Sequence, residues 1–477
     1  MGGAWLAWVY LASEWAIRIA MAPVVVRKRS PSTAAAWLLV IFFLPWLGLA
    51  LYLIAGEPRL GRRRSQRHRQ AILAVRQAHP LERLERFEAQ AKVPPAHRDI
   101  VKLTERIAAL PVVGGSSCQF FASTEAVVSQ LVRDIDAAQR HVHLETFIYE
   151  PDETGVAVAQ ALERAAARGA ACRLLVDDVG SRRMLRRLAP RLRRAGVEVV
   201  SFFPVNPLRA HLERLDIRNH RKLAVVDGAV GWAGSQNIVN PDYGERRFGP
   251  WRDVMVRYEG PAAAQLQCVF LEDWRSQTQT TLEGADLFPD LEARGDIAVQ
   301  TAPSGPGPRS AVFTELLIAS LNEAEQRVVM TTPYFVPDEP LLTTLRILAL
   351  RGVEVDLAIP ARSNHPIVQA AGRAYLGELL EAGVRVHLHG RGLLHAKTLS
   401  VDDSLALVGS GNFDIRSFNL NYELTQTLYG SVVARQLRDI QGVYLAESTP
   451  LTLAQWRSRP VPLRLADDVA KLFSPIL

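Results

Sequence analysis

One pattern occurs twice in the chain, and it restricts the possible folds more than any other feature. Residues 220–237 read HRKLAVVDGAVGWAGSQN, and residues 395–412 read HAKTLSVDDSLALVGSGN. Both have the form HxKx4Dx6GSxN. His220, Lys222, Asp227, Ser235 and Asn237 therefore correspond to His395, Lys397, Asp402, Ser410 and Asn412. At ordinary residue frequencies such a pattern matches at roughly one start position in ten million or more. Two in-phase copies mean a duplicated unit and a fold with two equivalent halves.

The surrounding sequence repeats as well. Residues 141–178 and 327–360 each give an apolar strand, a Pro-Asp-Glu turn at 151–153 or 337–339, a helix, an Arg-Gly stop and a second strand. An acidic residue after the proline suits a helix start, and Gly169 and Gly352 suit helix ends. Further on, RRAGVEVVSFF (193–203) echoes LEAGVRVHLHG (380–390). Strands alternating with helices predict an α/β fold, with mixed sheets flanked by helices in each half. The halves are expected over 111–300 and 301–477, with TAPSGPGPR (301–309) as the linker between them.

The spacing also carries chemistry. Residues i and i+2 of a strand share a face, so His220 projects with Lys222 and His395 with Lys397. Halves packed face to face about a pseudo-twofold bring two imidazoles and two ammonium groups onto one phosphodiester. The lysines neutralise phosphate oxygens, and Ser235, Asn237, Ser410 and Asn412 supply further hydrogen bonds. One histidine attacks phosphorus while the other protonates the leaving alkoxide. Histidine suits both tasks because it titrates near neutrality. We take His220 as the nucleophile and His395 as the acid/base, with near-symmetry permitting the reverse. Asp227 and Asp402 complete the candidate catalytic motif, yet their odd offset from the histidines turns them to the other face, where a structural role is expected. No His/Cys/Asp cluster has metal-ligand spacing, so neither a metal nor another cofactor is expected. Cys118, Cys172 and Cys268 are too few and too scattered for a disulfide framework. His141, His143, His365, His387 and His389 read as strand or rim residues. Tyr334 and Phe335 suit core packing or a lipid channel.

The N-terminus bears on the substrate. Residues 34–56 contain no charge and are long enough to span a bilayer; Pro45 and Gly48 are tolerable there, with Trp37 and Tyr52 near the interfaces. Residues 4–26 are also apolar, but carry Glu14 and Arg18 at an i, i+4 spacing that lets them pair. The expectation is a two-span membrane module over 1–70, then a helical linker over 71–110 that holds the body near the membrane. The basic run Arg27-Lys28-Arg29 follows the first apolar stretch instead of preceding it, which argues against a cleaved signal. Arg59, Arg62, Arg63, Arg64, Arg67 and Arg69 outnumber that run, placing both termini and the body in the cytoplasm by the positive-inside rule. The net charge of +7 fits nucleic acid or an anionic lipid surface. The apolar N-terminus favours lipid. Near the C-terminus, LRLADDVAKLF is amphipathic and suits either the membrane or the body.

With these residues in view, the chain resembles the phospholipase D superfamily, and within it the bacterial cardiolipin synthases. The duplicated motif carries the wider resemblance. The narrower one rests on RKRSPSTAAAWLLVIFFLPWLGLALYLIAGEPRLGRRR, on RNHRKLAVVDG with PWRDVMVRYEGPAAAQLQCVFLEDW, on GSGNFDIRSFNLNYE, and on the tail WRSRPVPLRLADDVAKLFSPIL. The resemblance implies reversible phosphatidyl transfer between two phosphatidylglycerols, giving cardiolipin and glycerol through a phosphohistidine intermediate without a metal. It implies phosphatidylglycerol and anionic membrane lipids as partners, no nucleic acid, and a multi-pass place in the bacterial inner membrane. It further implies that Asp253 in PWRD and Glu423 in LNYE each orient the histidine of the other half. The first motif departs from the family in GSQNIVNPDYG, where many relatives have Gly-Gly before the Asn and an acidic stretch after it; that touches the rim and the choice of acceptor. Within the same fold a hydrolytic phospholipase D or a phosphatidylserine synthase are the alternatives, then a membrane-tethered nuclease or an idle scaffold.

Overall fold

The computed structural model describes residues 2–28, 31–55, 62–79, 82–204, 217–244, 249–307, 309–472 and 474. Arg59 of the basic run lies outside the described residues. The chain divides into two compact units, and the described residues up to 55 make up the first.

In the first unit, α1 (Gly2–Lys28), α2 (Pro31–Phe43) and α3 (Pro45–Ala55) enclose a small core of Met21, Val25, Ala34, Ile41 and Tyr52. Trp5–Arg27 of α1 is long and apolar enough to cross a membrane. Glu14 and Arg18 pair within it at 3.2 Å. Trp5, Trp8, Ile19 and Phe43 lie uncovered by protein, as side chains facing lipid would. The uncharged stretch 34–56 is not one straight span. It breaks at Leu44–Pro45, because proline lacks the N–H that would continue the ladder and its ring crowds the preceding turn. The bend is tight: a Cβ on Gly48 would lie 2.7 Å from the Ile41 Cα. At about 1.5 Å per residue, neither α2 nor α3 alone reaches across the ~30 Å of bilayer hydrocarbon.

The second unit begins at Arg62 with α4 (Arg62–Ala78), α5 (Glu82–Glu88) and α6 (Arg98–Ala108). These helices are not a loose linker. α4 packs on a central helix of the body, and Arg76 reaches Glu272 at 3.7 Å. His97, just before α6, is buried between Glu323 and Ser404.

The first half then gives strands β1 (Val113–Phe121), β2 (His141–Thr146), β3 (Ala171–Asp177), β4 (Glu198–Phe202), β5 (Leu223–Val226), β6 (Val230–Gly234), β7 (Trp251–Arg252) and β8 (Met255–Glu259). The second gives β9 (Ile297–Ser304), β10 (Arg327–Thr331), β11 (Phe335–Val336), β12 (Glu354–Pro360), β13 (Arg385–His389), β14 (Leu393–Leu394), β15 (Thr398–Val401), β16 (Leu405–Gly409), β17 (Phe413–Asp414), β18 (Glu423–Tyr429) and β19 (Ser448–Leu451). The helices of the first half are α7 (Thr124–Ala137), α8 (Glu153–Ala167), α9 (Arg182–Arg187), α10 (Ala189–Arg194) and α11 (Pro261–Thr278). Those of the second are α12 (Val312–Asn322), α13 (Glu339–Leu350), α14 (Pro366–Ala382), α15 (Ile415–Asn419), α16 (Ser431–Ala446), α17 (Leu453–Arg457) and α18 (Val461–Lys471).

Strand order shows the duplication directly. Half 1 runs β1-β8-β6-β5-β2-β3-β4, and half 2 runs β9-β18-β16-β15-β10-β12-β13 with β19 added at its edge. Each element has its counterpart at the same place. The expected helix starts recur too: Asp152 caps α8 and Asp338 caps α13 through their side chains. The halves are not two separate sheets stacked face to face. β1 pairs antiparallel with β9, making one continuous sheet of 15 strands, and near this seam β6 approaches β16 and β18. The stretch 301–309 is consequently not a free linker. Its first four residues belong to β9, buried at the centre of the sheet and paired along β18.

Candidate active site

Each histidine-lysine pair lies on the extended lead-in to a strand, one residue before β5 or β15 begins. Each lead-in is held by the opposite half. The His220 N–H donates to the Tyr422 carbonyl at 2.9 Å, and the His395 N–H to the Arg252 carbonyl at 2.8 Å. Just upstream, Asn219 bridges to Tyr422 and β14 pairs with β7. The swap puts each motif beside the acidic residue of the other half. His220 Nδ1 lies 3.0 Å from both carboxylate oxygens of Glu423, and His395 Nδ1 lies 2.7 Å from Asp253 Oδ1. An Nδ1–H donated to a carboxylate leaves the lone pair on Nε2. Both histidines line one cavity of about 810 Å³, with Asn237 and Asn412 in its wall.

The serines have a different place from the one expected. Ser235 Oγ donates to Asp253 at 2.6 Å, and Ser410 Oγ to Glu423 at 2.5 Å. A hydroxyl has one proton, so these serines hold the carboxylates instead of facing a phosphate. Ser417 adds a further donor to Glu423 at 3.0 Å. Asn237 accepts from the Ile148 N–H at 3.0 Å, while its buried Nδ2 has no hydrogen-bond partner among the described residues.

Asp227 and Asp402 are outside the cavity. Each takes up the left-handed backbone region, with φ of 52° and 46°. Asp227 accepts from the N–H groups of Gln139, Arg140 and His141 at 2.8, 2.8 and 2.9 Å. Asp402 accepts from Glu325, Gln326 and Arg327 at 2.9, 2.8 and 2.8 Å. They tie down the turns that feed β2 and β10. These two motif residues are therefore scaffold, and do not belong with the histidines and lysines as catalytic groups.

Burial sets the electrostatics. It pulls His220 down to about 4 and His395 to about 3, against the opposing pull of Glu423 and Asp253. The carboxylates themselves are held near about 2: burial would raise them, but the facing imidazole and the nearby lysine outweigh it. Both imidazoles are thus neutral in the free enzyme at pH 7. Lys222 Nζ donates to the His220 carbonyl and Lys397 Nζ to the His395 carbonyl, each at 2.5 Å. Desolvation lowers both ammonium groups, Lys397 to about 7.

This has a consequence for pH. An ammonium is charged below its pKa, so the positive charge that Lys397 places beside His395 is present below about 7 and lost above it. We expect kcat/KM to fall as pH rises through neutrality, and the fall to move to higher pH in Lys397→Arg, whose guanidinium stays charged. A pH–rate profile with no alkaline limb below pH 9 in the unmodified enzyme would contradict this.

The pattern did not point to every wall residue. Phe147 sets its ring edge against His220, with centroids 4.9 Å apart, and Trp251 covers His395 at 4.3 Å. Ile148, Glu150, Arg183, Arg218, Tyr243 and Gly244 complete the first-half wall. Trp251 had a signal, two positions before Asp253; Phe147 had none, since the repeat places Pro333 at the matching position. His365 lies on the rim with Tyr334, whereas His143 is buried away from the cavity, its Nδ1 3.1 Å from Gln267. Cys172 and Cys268 are buried, Cys118 partly so, and none of the three is in a disulfide.

Comparison with known proteins agrees with this geometry. The family model described as the phospholipase D-like domain of cardiolipin synthase matches residues 131–274 and 317–441. The phospholipase D-nuclease N-terminal model matches residues 16–57. Cardiolipin synthase A of Serratia proteamaculans (strain 568) is 34% identical over 99% of both chains, and that of Klebsiella pneumoniae subsp. pneumoniae is 34% identical over 98% of both. Among solved structures, phosphatidylserine synthase of Haemophilus influenzae shares the fold with a TM-score of 0.57 at 15% identity, covering 80% of this chain and 100% of that one. Duplicated halves of one sheet meeting at one cavity with paired histidines define a phosphatidyltransferase of the phospholipase D class. Within that class the chain belongs to the bacterial cardiolipin synthases.

Proposed function

We propose that this chain makes cardiolipin and glycerol from two molecules of phosphatidylglycerol by two successive displacements at one phosphorus. The observation that carries the reading is the pair of imidazoles in one cavity, each with Nδ1 on a carboxylate from the other half. Neutral His220 attacks phosphorus through Nε2, and the bond from phosphorus to the glycerol oxygen breaks. The leaving oxygen needs a proton. An anionic phosphodiester beside His395 and Asp253 raises the affinity of that imidazole for one. His395 therefore donates to glycerol, then takes the proton from the hydroxyl of a second phosphatidylglycerol as its oxygen displaces His220. Lys222, Lys397 and Asn237 hold the phosphoryl oxygens throughout. Near-symmetry allows His395 to be the nucleophile instead, which peptide mapping of acid-trapped phosphohistidine distinguishes.

The reverse reaction follows from the same chemistry, since glycerol is itself an acceptor. Head-group-labelled phosphatidylglycerol in vesicles should give free glycerol and cardiolipin in equal amounts, and excess glycerol should drive cardiolipin back. Phosphatidic acid as the main product would make water the acceptor and the enzyme a hydrolase.

The protein is membrane-associated, as its relatives and its apolar first helix indicate. We assign the body to the cytoplasmic side from the arginines that open α4 and precede it.

A further inference from the structure

The last described helix of the chain is built inside out. In α18 the residues turned into the body are Ala470 and Asp467; Asp467, 1% exposed, accepts from Arg373 at 2.8 Å and from Arg459 at 2.6 Å. The residues turned away are aliphatic: Leu465 is 58% exposed, Val469 56% and Leu472 77%, with Val461 beside them. At 100° per residue, Val461, Leu465, Val469 and Leu472 fall in one stripe opposite Asp467. A soluble helix places these classes the other way round, and burying a carboxylate to do so needs the two arginines that hold it.

We propose that this stripe is a docking surface for an anionic bilayer, which seats the lipid at the mouth of the catalytic cavity. Three observations choose lipid over other occupants. First, the surface adjoins the cavity: Ser474, just beyond α18, lines it together with His220 and His395, and is bonded to Tyr375 of α14. Second, Ile367, exposed at the start of α14 beside the cavity residues His365 and Val368, extends the apolar character along the rim. Third, Arg464 and Lys471 lie along one side of the stripe, with Asp468 at its edge the single exposed acid of the helix, a net positive balance that suits anionic headgroups and disfavours a second copy of the same basic face. The inference deepens the cardiolipin synthase reading by saying how a lipid reaches the site, and its physical test is independent of any turnover.

The test uses the full chain reconstituted into vesicles of phosphatidylglycerol and phosphatidylcholine, labelled with an environment-sensitive fluorophore at Leu465→Cys. Selective labelling is practical because Cys172 and Cys268 are buried and burial pushes the Cys118 thiol up to about 12. Emission from position 465 should shift to the blue and be quenched by spin-labelled lipid, while the same label at the exposed Glu125→Cys should not respond. An unshifted label at 465 overturns the proposal. So does a shift without lipid quenching, which would mean that a protein surface, such as a second copy, covers the stripe. In a second measurement, Leu465→Asp/Val469→Asp should lower turnover of vesicle phosphatidylglycerol about tenfold and leave turnover of monomeric short-chain phosphatidylglycerol unchanged. Equal losses in both assays would show that the stripe serves the fold, and the proposal would fall. If neither assay gives cardiolipin even with the unmodified enzyme, the reaction assignment fails while the quenching result still stands.

Discussion

His220→Ala and His395→Ala should each lower kcat by about 10⁴-fold or more, and the double variant should be little slower than either single one. The reason lies in the shared cavity. Both imidazoles line it, and in the proposed reaction each displacement needs one to bond phosphorus and the other to move a proton. Removing either group stops both steps, so the second deletion finds little left to remove. The two variants should still differ in one respect. Loss of the nucleophile abolishes the covalent phosphatidyl-enzyme, whereas loss of the acid/base leaves a slow route to it with a substrate whose leaving group needs no proton. A phosphodiester of p-nitrophenol therefore separates the roles: a burst should survive in His395→Ala and vanish in His220→Ala. Two single variants whose losses multiply in the double variant would mean independent sites, against the one-cavity arrangement.

The second large effect concerns stability. The residue between His220 and Lys222 is Arg221, whereas its counterpart in the other motif is Ala396. Arg221 is fully buried, paired with Asp273 and donating to the carbonyls of Glu423 and Ser304 at 3.0 Å each. Glu145 stands in the same cluster, pushed well above the usual carboxylate range by burial and by the charge of Asp273. Arg221→Met should destabilise the body by about 3–5 kcal/mol, because it strands Asp273 as an uncompensated buried charge. Adding Asp273→Asn should recover much of that loss, since removing both charges of a buried pair costs far less than removing one. Thermal unfolding of the purified variants reads this directly. An Arg221→Met melting curve superimposed on that of the unmodified protein would show that the cluster is not paired as described.

Much of the site was legible in the sequence because its chemistry needs side chains that are rare in combination. His220, Lys222, His395 and Lys397 follow from interval matching alone, and an odd offset was enough to turn Asp227 and Asp402 away from them. Asp253 and Glu423 were reached through resemblance, since a residue that acts across the seam has no fixed spacing from the histidine it serves. Ser235 and Ser410 were misplaced for a related reason. A serine in a motif shows that a hydroxyl is wanted, not whether its proton goes to a substrate or to a neighbouring carboxylate. Residues 301–309 misled because Pro and Gly mark turns by backbone preference, yet β9 is held in the sheet by tertiary pairing to β1 and β18.

By itself the sequence determined that there are two equivalent halves, that each carries a histidine-lysine pair, and that an apolar N-terminus goes with a basic body. Local intervals and local hydropathy encode those facts, and they survive without coordinates. Tertiary structure alone decided that β1 and β9 fuse the halves into one sheet, that Ser235 and Ser410 hold the carboxylates facing the histidines, and that α18 turns its aliphatic stripe outward. Each of these depends on which distant segments pack together. No periodicity within one segment records its partner, so only the folded chain shows which face of α18 lies against the body and which stays exposed.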